Sequence, residues 1–182
     1  VIMECTALPF AARATYSRDG LPVVTPSVRR TPPESISPRA KTHNYINMVL
    51  ADMEVKGRNP DAWAILLDTN GNIAEGMGSN FFIVKDGAVI TPEGRNILRG
   101  VSRAYVIEEL CVELGLPAVE KNIEPYDVYT ADEAFMTGTP FCMLPATALN
   151  GSPIGTGEVG PVFSRLLNQW GKYTGVDVAA QI

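Results

Sequence analysis

The spacing of apolar residues changes period several times after Lys41, and each change marks an element. In NYINMVLADMEVKG, Tyr45, Met48, Val49, Met53 and, less strictly, Val55 are apolar, with Asp52, Glu54 and Lys56 elsewhere. That spacing predicts a helix of about three turns, stopped by Gly57 and buried along those positions. DAWAILLD reads as a strand, TNGN as a turn holding Asn-Gly, and IAEG as a returning strand; together they predict a hairpin. SNFFIVKDGAVITP repeats the arrangement around Asp86–Gly87 and stops at Pro92. The helical period returns in VSRAYVIEELCVELG, where Val101, Tyr105, Val106, Leu110 and Leu114 line one side and Gly115 caps the C-terminus. PAVEKNI predicts a short strand. DEAFMTGTPFCMLPATALNG predicts a strand, an irregular Gly-Thr-Pro turn and a second strand ending at Asn150–Gly151. GPVFSRLLNQWGKY closes as a helix with Val162, Leu166, Leu167 and Trp170 inward.

The first forty residues read differently. Val1–Ala7 has the character of a strand, but Pro9, Pro22, Pro26, Pro32, Pro33 and Pro38 follow within a short stretch. Proline fixes φ and removes a ladder donor, so extended edge strand, turn and linker are expected here rather than core helix. TPSVRRTPP sets Arg29 and Arg30 side by side, either as a solvated basic turn or as a contact for an anion or partner. There is no fixed-period repeat and no low-complexity tract. Hairpins dominate over strict βαβ units, which predicts an α+β fold with a mixed, largely antiparallel sheet and surrounding helices.

Composition narrows the function classes. The chain has 182 residues, 46% of them hydrophobic and 19% charged, enough for a sizeable core and unlike a disordered chain. Fifteen basic against twenty acidic residues, a net charge of −5, argue against nucleic acid or an anionic membrane as partner. The longest apolar run, Ala62–Leu67, is far short of the roughly 18 to 20 residues of a membrane helix. The chain opens on Val1 with no signal pattern, so it is expected to begin within a longer protein. Cys5, Cys111 and Cys142 form no CxxC pair, and His43 is the single histidine. No metal site is expected from that set, and unpaired thiols suit a reducing, cytoplasmic compartment.

Four places carry candidate chemistry. ILRGVSR leads into a helix whose first N–H groups lack intrahelical partners; the turn and Ser102 either cradle a phosphate or leave Ser102 as an ordinary N-cap. In AEGMGSN, Glu75 is a carboxylate among apolar neighbours, either needing a partner or lying on a surface turn. TGTP, Thr137–Pro140, offers hydroxyls and amides at a strand end. Lys41 is either a solvated surface residue or an amine nucleophile able to form a Schiff base.

SPRAKTHNY, EGMGSNFFIVKDGAVITP, ILRGVSR and ADEAFMTGTP occur in the order and approximate spacing of the class IV aminotransferases, the fold-type IV pyridoxal-phosphate enzymes. The chain resembles that family over roughly residues 36–170, and its branched-chain members most, through ADEAFMTGT and GEVGP. The resemblance implies the barrel-like larger domain of that fold over residues 36–182, preceded by a proline-rich inter-domain segment and edge strand over 1–35, with the family's N-terminal smaller domain outside the chain. It implies that Lys41 holds pyridoxal 5′-phosphate as a Schiff base and moves the α-proton, and that Tyr45 meets the phenolic oxygen. Glu75 would pair with the pyridine nitrogen, Leu98 pack on the ring, and Val101, Ser102 and Thr139 bind the phosphate. An amino acid and a 2-oxo acid are the implied substrates, contacted through Thr139 and Pro140, and a homodimer or higher homo-oligomer is the implied assembly.

Two departures stand out. Many family members donate a backbone N–H to the substrate carboxylate from the residue after the threonine; Pro140 has none. The family's phosphate-binding arginine belongs to the smaller domain, and its role is not carried onto Arg29 or Arg30. Alternatives on the same fold are aminodeoxychorismate lyase and D-amino-acid or amine aminotransferase. An alternative of another class is a catalytically inactive truncated domain that acts as a binding or interaction remnant.

Overall fold

A computed structural model describes residues 3–7 and 10–178. In chain order the elements are α1 (Phe10–Asp19), β1 (Leu21–Val24), α2 (Ile46–Lys56), β2 (Trp63–Leu67), β3 (Ile73–Gly76), β4 (Ser79–Lys85) and β5 (Ala88–Thr91). A continuous helical run follows, made of α3 (Val101–Tyr105), a π-helical turn (Val106–Leu110) and α4 (Cys111–Glu113). Then come β6 (Ala118–Glu120), α5 (Pro125–Tyr129), β7 (Glu133–Gly138), β8 (Cys142–Leu149), β9 (Ser152–Pro153) and α6 (Pro161–Thr174).

The strands form one mixed sheet in the order β3-β2-β1-β8-β7-β4-β5-β6, with β9 on β8. Pairing of β3 with β4 closes six of them into a barrel. β1 runs parallel to both β2 and β8, and β5 parallel to β6; the other pairs are antiparallel. The mixed sheet and barrel-like core agree with the sequence reading. So do the turns: Asp86–Gly87 and Asn150–Gly151 all take positive φ, the conformation that tight hairpin turns require.

Alternation along the strands sorts side chains to two faces. Leu21, Val23, Phe81, Ile83, Met136 and Leu144 fill the barrel interior. Phe82, Val84, Phe135 and Met143 point outward under the π turn and α6, while Ala64 and Leu66 meet α2. Phe82 and Phe135 stack with centroids 4.8 Å apart.

Three expectations change. The proline-rich stretch holds a helix, α1, and an interior strand, β1, not an edge strand. Pro22 is tolerated there because the β1–β8 register shifts between Leu21 and Pro22, so the missing donor falls at a bulge. Residues 3–7 lie in no strand, and Val1 and Ile2 fall outside the described residues. Second, α2 buries Met48, Ala51 and Val55, leaving Val49 and Met53 exposed. The helix is apolar on two sides, and small Ala51 permits the closer approach to β2. Third, Val101 is 83% exposed although Val106 and Leu110 are buried; it stands at the open end of its helix, before the run turns onto the sheet.

α6 shows how its start is fixed. Val162 and Phe163 donate backbone N–H bonds of 2.8 Å each to the two oxygens of buried Glu133, a carboxylate at the positive end of a 14-residue helix. Glu133→Ala leaves those donors bare. A loss of about 2 kcal/mol is expected, read as a lower urea midpoint with unchanged slope. Among the described residues no helix is long and apolar enough to cross a membrane.

Candidate active site

A cavity of about 220 Å³ opens on the outside of the barrel, between the β3–β4 hairpin, the end of β7, the segment before α2 and the start of α3. Lys41, Tyr45, Glu75, Leu98, Val101, Ser102 and Thr139, drawn from separate stretches of sequence, all line it. Pro140 does not line it; its carbonyl accepts a 2.7 Å hydrogen bond from Arg13 Nη1.

Glu75 is the buried anchor. It is 3% exposed, and its Oε1 accepts from Arg30 Nε at 2.7 Å. Its Oε2 accepts from the Leu98 N–H at 3.0 Å and, more distantly, from Asn80 Nδ2 at 3.5 Å. A carboxylate offers about four acceptor positions, so room remains for a donor in the cavity. Burial pushes this carboxyl above its ordinary range; the Arg30 hydrogen bond and charge oppose that most, with help from the Leu98 N–H and the charge of Lys41. The Lys41 side chain is exposed to the cavity.

Asn80 couples this anchor to the α3 start. Its Nδ2 donates 2.8 Å to the Leu98 carbonyl, and Gly100 sits so close that a Cβ there would overlap Asn80 Oδ1. Only glycine permits that approach. Gly100 is the N-cap of α3 and supplies no side-chain cap, so Ser102 is inside the helix rather than its cap. Val101 and Ser102, both lining the cavity, thus stand in the first turn of the helical run, where N–H groups lack intrahelical partners and the helix dipole is positive. Buried Arg103 ties this helix to the sheet through the Pro92 carbonyl at 2.8 Å and Glu120 at 2.6 Å.

The lining carries Arg30, Lys41 and Arg99 against Glu75 alone among charged side chains. The cavity thus favours an anionic ligand that also brings one donor to Glu75 and a carbonyl carbon to Lys41. Among the described residues no cluster of three or more His, Cys, Asp or Glu is placed to hold a metal. Cys111 and Cys142 lie elsewhere, unpaired, and burial pushes the Cys111 thiol up to about 11.

Sequence reasoning missed Asn80 as a cavity residue, and it marked Arg30 and Thr137 only as members of the arginine pair and the TGTP turn. Arg30 had a signal, as half of an arginine pair open to an anion; that its anion is Glu75, 45 residues away, had none. Asn80 follows the Gly-Ser of the hairpin and looks like an ordinary strand residue. Thr137 lies in the TGTP turn but has the β-propensity of any strand threonine.

Comparison with known proteins follows the same lines. The family model for amino-transferase class IV matches residues 1–149. A branched-chain-amino-acid aminotransferase of Pseudomonas aeruginosa is 41% identical over 150 residues, 82% of this chain and 48% of that protein. The Escherichia coli K12 branched-chain-amino-acid aminotransferase is 36% identical over 174 residues, 93% of this chain and 56% of its own. The crystal structure of a T.th. branched-chain amino acid aminotransferase complexed with N-(5′-phosphopyridoxyl)-L-glutamate superposes with a TM-score of 0.82 at 37% identity, covering 87% of this chain and 53% of that one. The chain spans about half the length of these relatives.

Proposed function

The chain belongs to the class IV aminotransferases, and from that premise we propose that it is the cofactor-binding part of a pyridoxal-phosphate enzyme that moves an amino group between an amino acid and a 2-oxo acid, with branched-chain amino acids as the donor class. The observation that carries the reading is one cavity that joins an amine, Lys41, a buried carboxylate, Glu75, and an open helix start at Val101–Ser102.

These donors fit pyridoxal 5′-phosphate. Its ring, when bound, supplies an electron sink that makes the amino acid's α-proton removable. Glu75, held by Arg30, accepts from a protonated pyridine nitrogen and keeps it charged. Tyr45 donates to the phenolic oxygen, Leu98 packs against the ring, and the Val101 and Ser102 N–H groups with Thr139 hold the phosphate. Lys41 Nζ would be the covalent attachment point for the cofactor's carbonyl carbon, and its free amine would be the base that takes and returns the α-proton. Thr139, which lines the cavity, borders the substrate; Pro140 does not line it, so its expected substrate contact is not carried forward. Because Pro140 offers no N–H and Arg13 holds its carbonyl, the substrate carboxylate is read by other donors.

We assign residues 36–182 to the larger domain together with β1, which is an interior strand of its barrel, and a homo-oligomer as the working assembly. Ile46, Val49, Leu50 and Met53 form an exposed apolar stripe on α2 beside the cavity, a surface suited to association. Titration of the purified protein with pyridoxal phosphate tests the reading: a yellow protein bleached by leucine or valine is expected, with regeneration by the matching oxo acid. A protein that stays colourless in excess cofactor overturns it. Colour that no amino donor bleaches favours the inactive-remnant alternative instead.

A further inference from the structure

We propose that the hydroxyl of Thr137 is a ligand of the cofactor's phosphate, a contact additional to Val101, Ser102 and Thr139. The inference rests on the pyridoxal-phosphate reading of the cavity and adds a residue to it.

Thr137 is 1% exposed, and its Oγ1 is buried with no hydrogen-bond partner among the described residues. Buried hydroxyls are nearly always satisfied by protein, water or ligand, because an unmade bond costs the whole desolvation of the group. Thr137 is among the residues that line the cavity. Its direction follows from the sheet register. Asn80 pairs with Glu75 on one side and with Thr137 on the other, so the three residues form a row across β3, β4 and β7 on the outer face of the barrel. With strands about 4.8 Å apart, Thr137 stands roughly 10 Å from Glu75, backbone to backbone. Allowing for the two side chains, that span accommodates a pyridine nitrogen at the carboxylate and a phosphate at the other end of the cofactor.

The start of α3 packs against β7, which brings its open N–H groups to the Thr137 end of the row. Thr139 lies two residues on, past the end of the strand. A dianion there meets N–H donors from the helix on one wall and threonine hydroxyls from β7 and its end on the other. Ser79 Oγ, also unpartnered and cavity-lining, does not join the row. It crowds the place a Cβ on Gly76 would take, beside Ile65 of the barrel interior.

The test compares wild type, Thr137→Val and Thr137→Ser as apoproteins, each titrated with pyridoxal 5′-phosphate and with pyridoxal, which lacks the phosphate. Valine keeps the shape and removes the donor. The Kd of Thr137→Val for pyridoxal phosphate is expected to rise about 10-fold or more, since the lost bond is to a charged group. Its Kd for pyridoxal should change less than about 2-fold, and serine should restore most of the affinity. The Tm of the apo Thr137→Val protein is expected to equal or exceed that of wild type, because an unsatisfied hydroxyl has been removed. Unchanged pyridoxal-phosphate affinity, or equal loss for both ligands, overturns the assignment. A lower apo Tm does so too, by showing that the hydroxyl has a partner within the protein. If wild type itself fails to bind pyridoxal phosphate, the cofactor reading fails before this inference is reached.

Discussion

Lys41→Ala is expected to abolish the visible absorbance of protein-bound pyridoxal phosphate and to lower amino transfer by about 10⁴-fold or more. The lysine is asked to do two things, and its removal deletes both. On the proposed reading it holds the cofactor through a covalent bond, and it carries the α-proton, a general acid–base contribution of about 10²- to 10⁴-fold by itself. Among the described residues no other lysine lines the cavity, so no neighbouring lysine can substitute. The phosphate and ring contacts remain in this variant, and the cofactor should still bind, reversibly and without the covalent chromophore. Lys41→Arg separates charge from chemistry. Its guanidinium preserves the positive potential beside Glu75 but stays protonated and cannot attack a carbonyl. If Lys41→Arg kept the chromophore, the amine would not be the attachment point. Substantial transfer activity in Lys41→Ala would place the proton shuttle on another group.

The residues differ in how legible they were. Lys41, Glu75 and the ILRGVSR turn could be found in the sequence because each belongs to a local pattern: a proline-bounded start of a helix, a glycine-flanked hairpin, a glycine before a helical period. The hairpins were legible for the same reason, since Asp-Gly and Asn-Gly supply the positive φ that their turns adopt. What stayed hidden depends on partners distant in sequence. Periodicity marks α2 as apolar but cannot say which of its two apolar sides, Met48–Ala51–Val55 or Ile46–Val49–Leu50–Met53, meets β2. Proline density marked the N-terminal stretch as irregular, yet a ten-residue helix fits between Pro9 and Pro22, and a bulge accommodates Pro22 inside the sheet. Arg30 is one of two adjacent arginines, and only the closure of the barrel brings it under Glu75.

That last pairing has the largest expected effect on stability. Arg30 and Glu75 side chains are 10% and 4% exposed, so removing one leaves the other as a buried, uncompensated charge. Arg30→Met and Glu75→Gln are each expected to cost about 3–5 kcal/mol in the apoprotein, and the double variant less than their sum. The two single variants should differ in pH dependence. Burial already pushes the Glu75 carboxyl up, and Arg30 is the chief force opposing it; without the guanidinium the carboxyl rises further. The native Arg30→Met protein then binds a proton that the unfolded chain has released, so its stability falls as pH rises through the folded-state value. Its deficit against wild type should be smaller at about pH 5 than at about pH 8, measured by urea unfolding at both. Glu75→Gln carries no such titration, and its Arg30 stays unpaired at every pH. A deficit for Arg30→Met that is equal at the two pH values would mean that Glu75 does not need the arginine to remain ionised. The same charge is what a protonated pyridine nitrogen requires, so the pH at which Arg30→Met loses stability is also where its carboxylate again becomes available to the cofactor. On this reading Arg30 is a positioning residue: it fixes Glu75 Oε1 through a 2.7 Å hydrogen bond and is the chief force opposing the rise that burial imposes on that carboxyl.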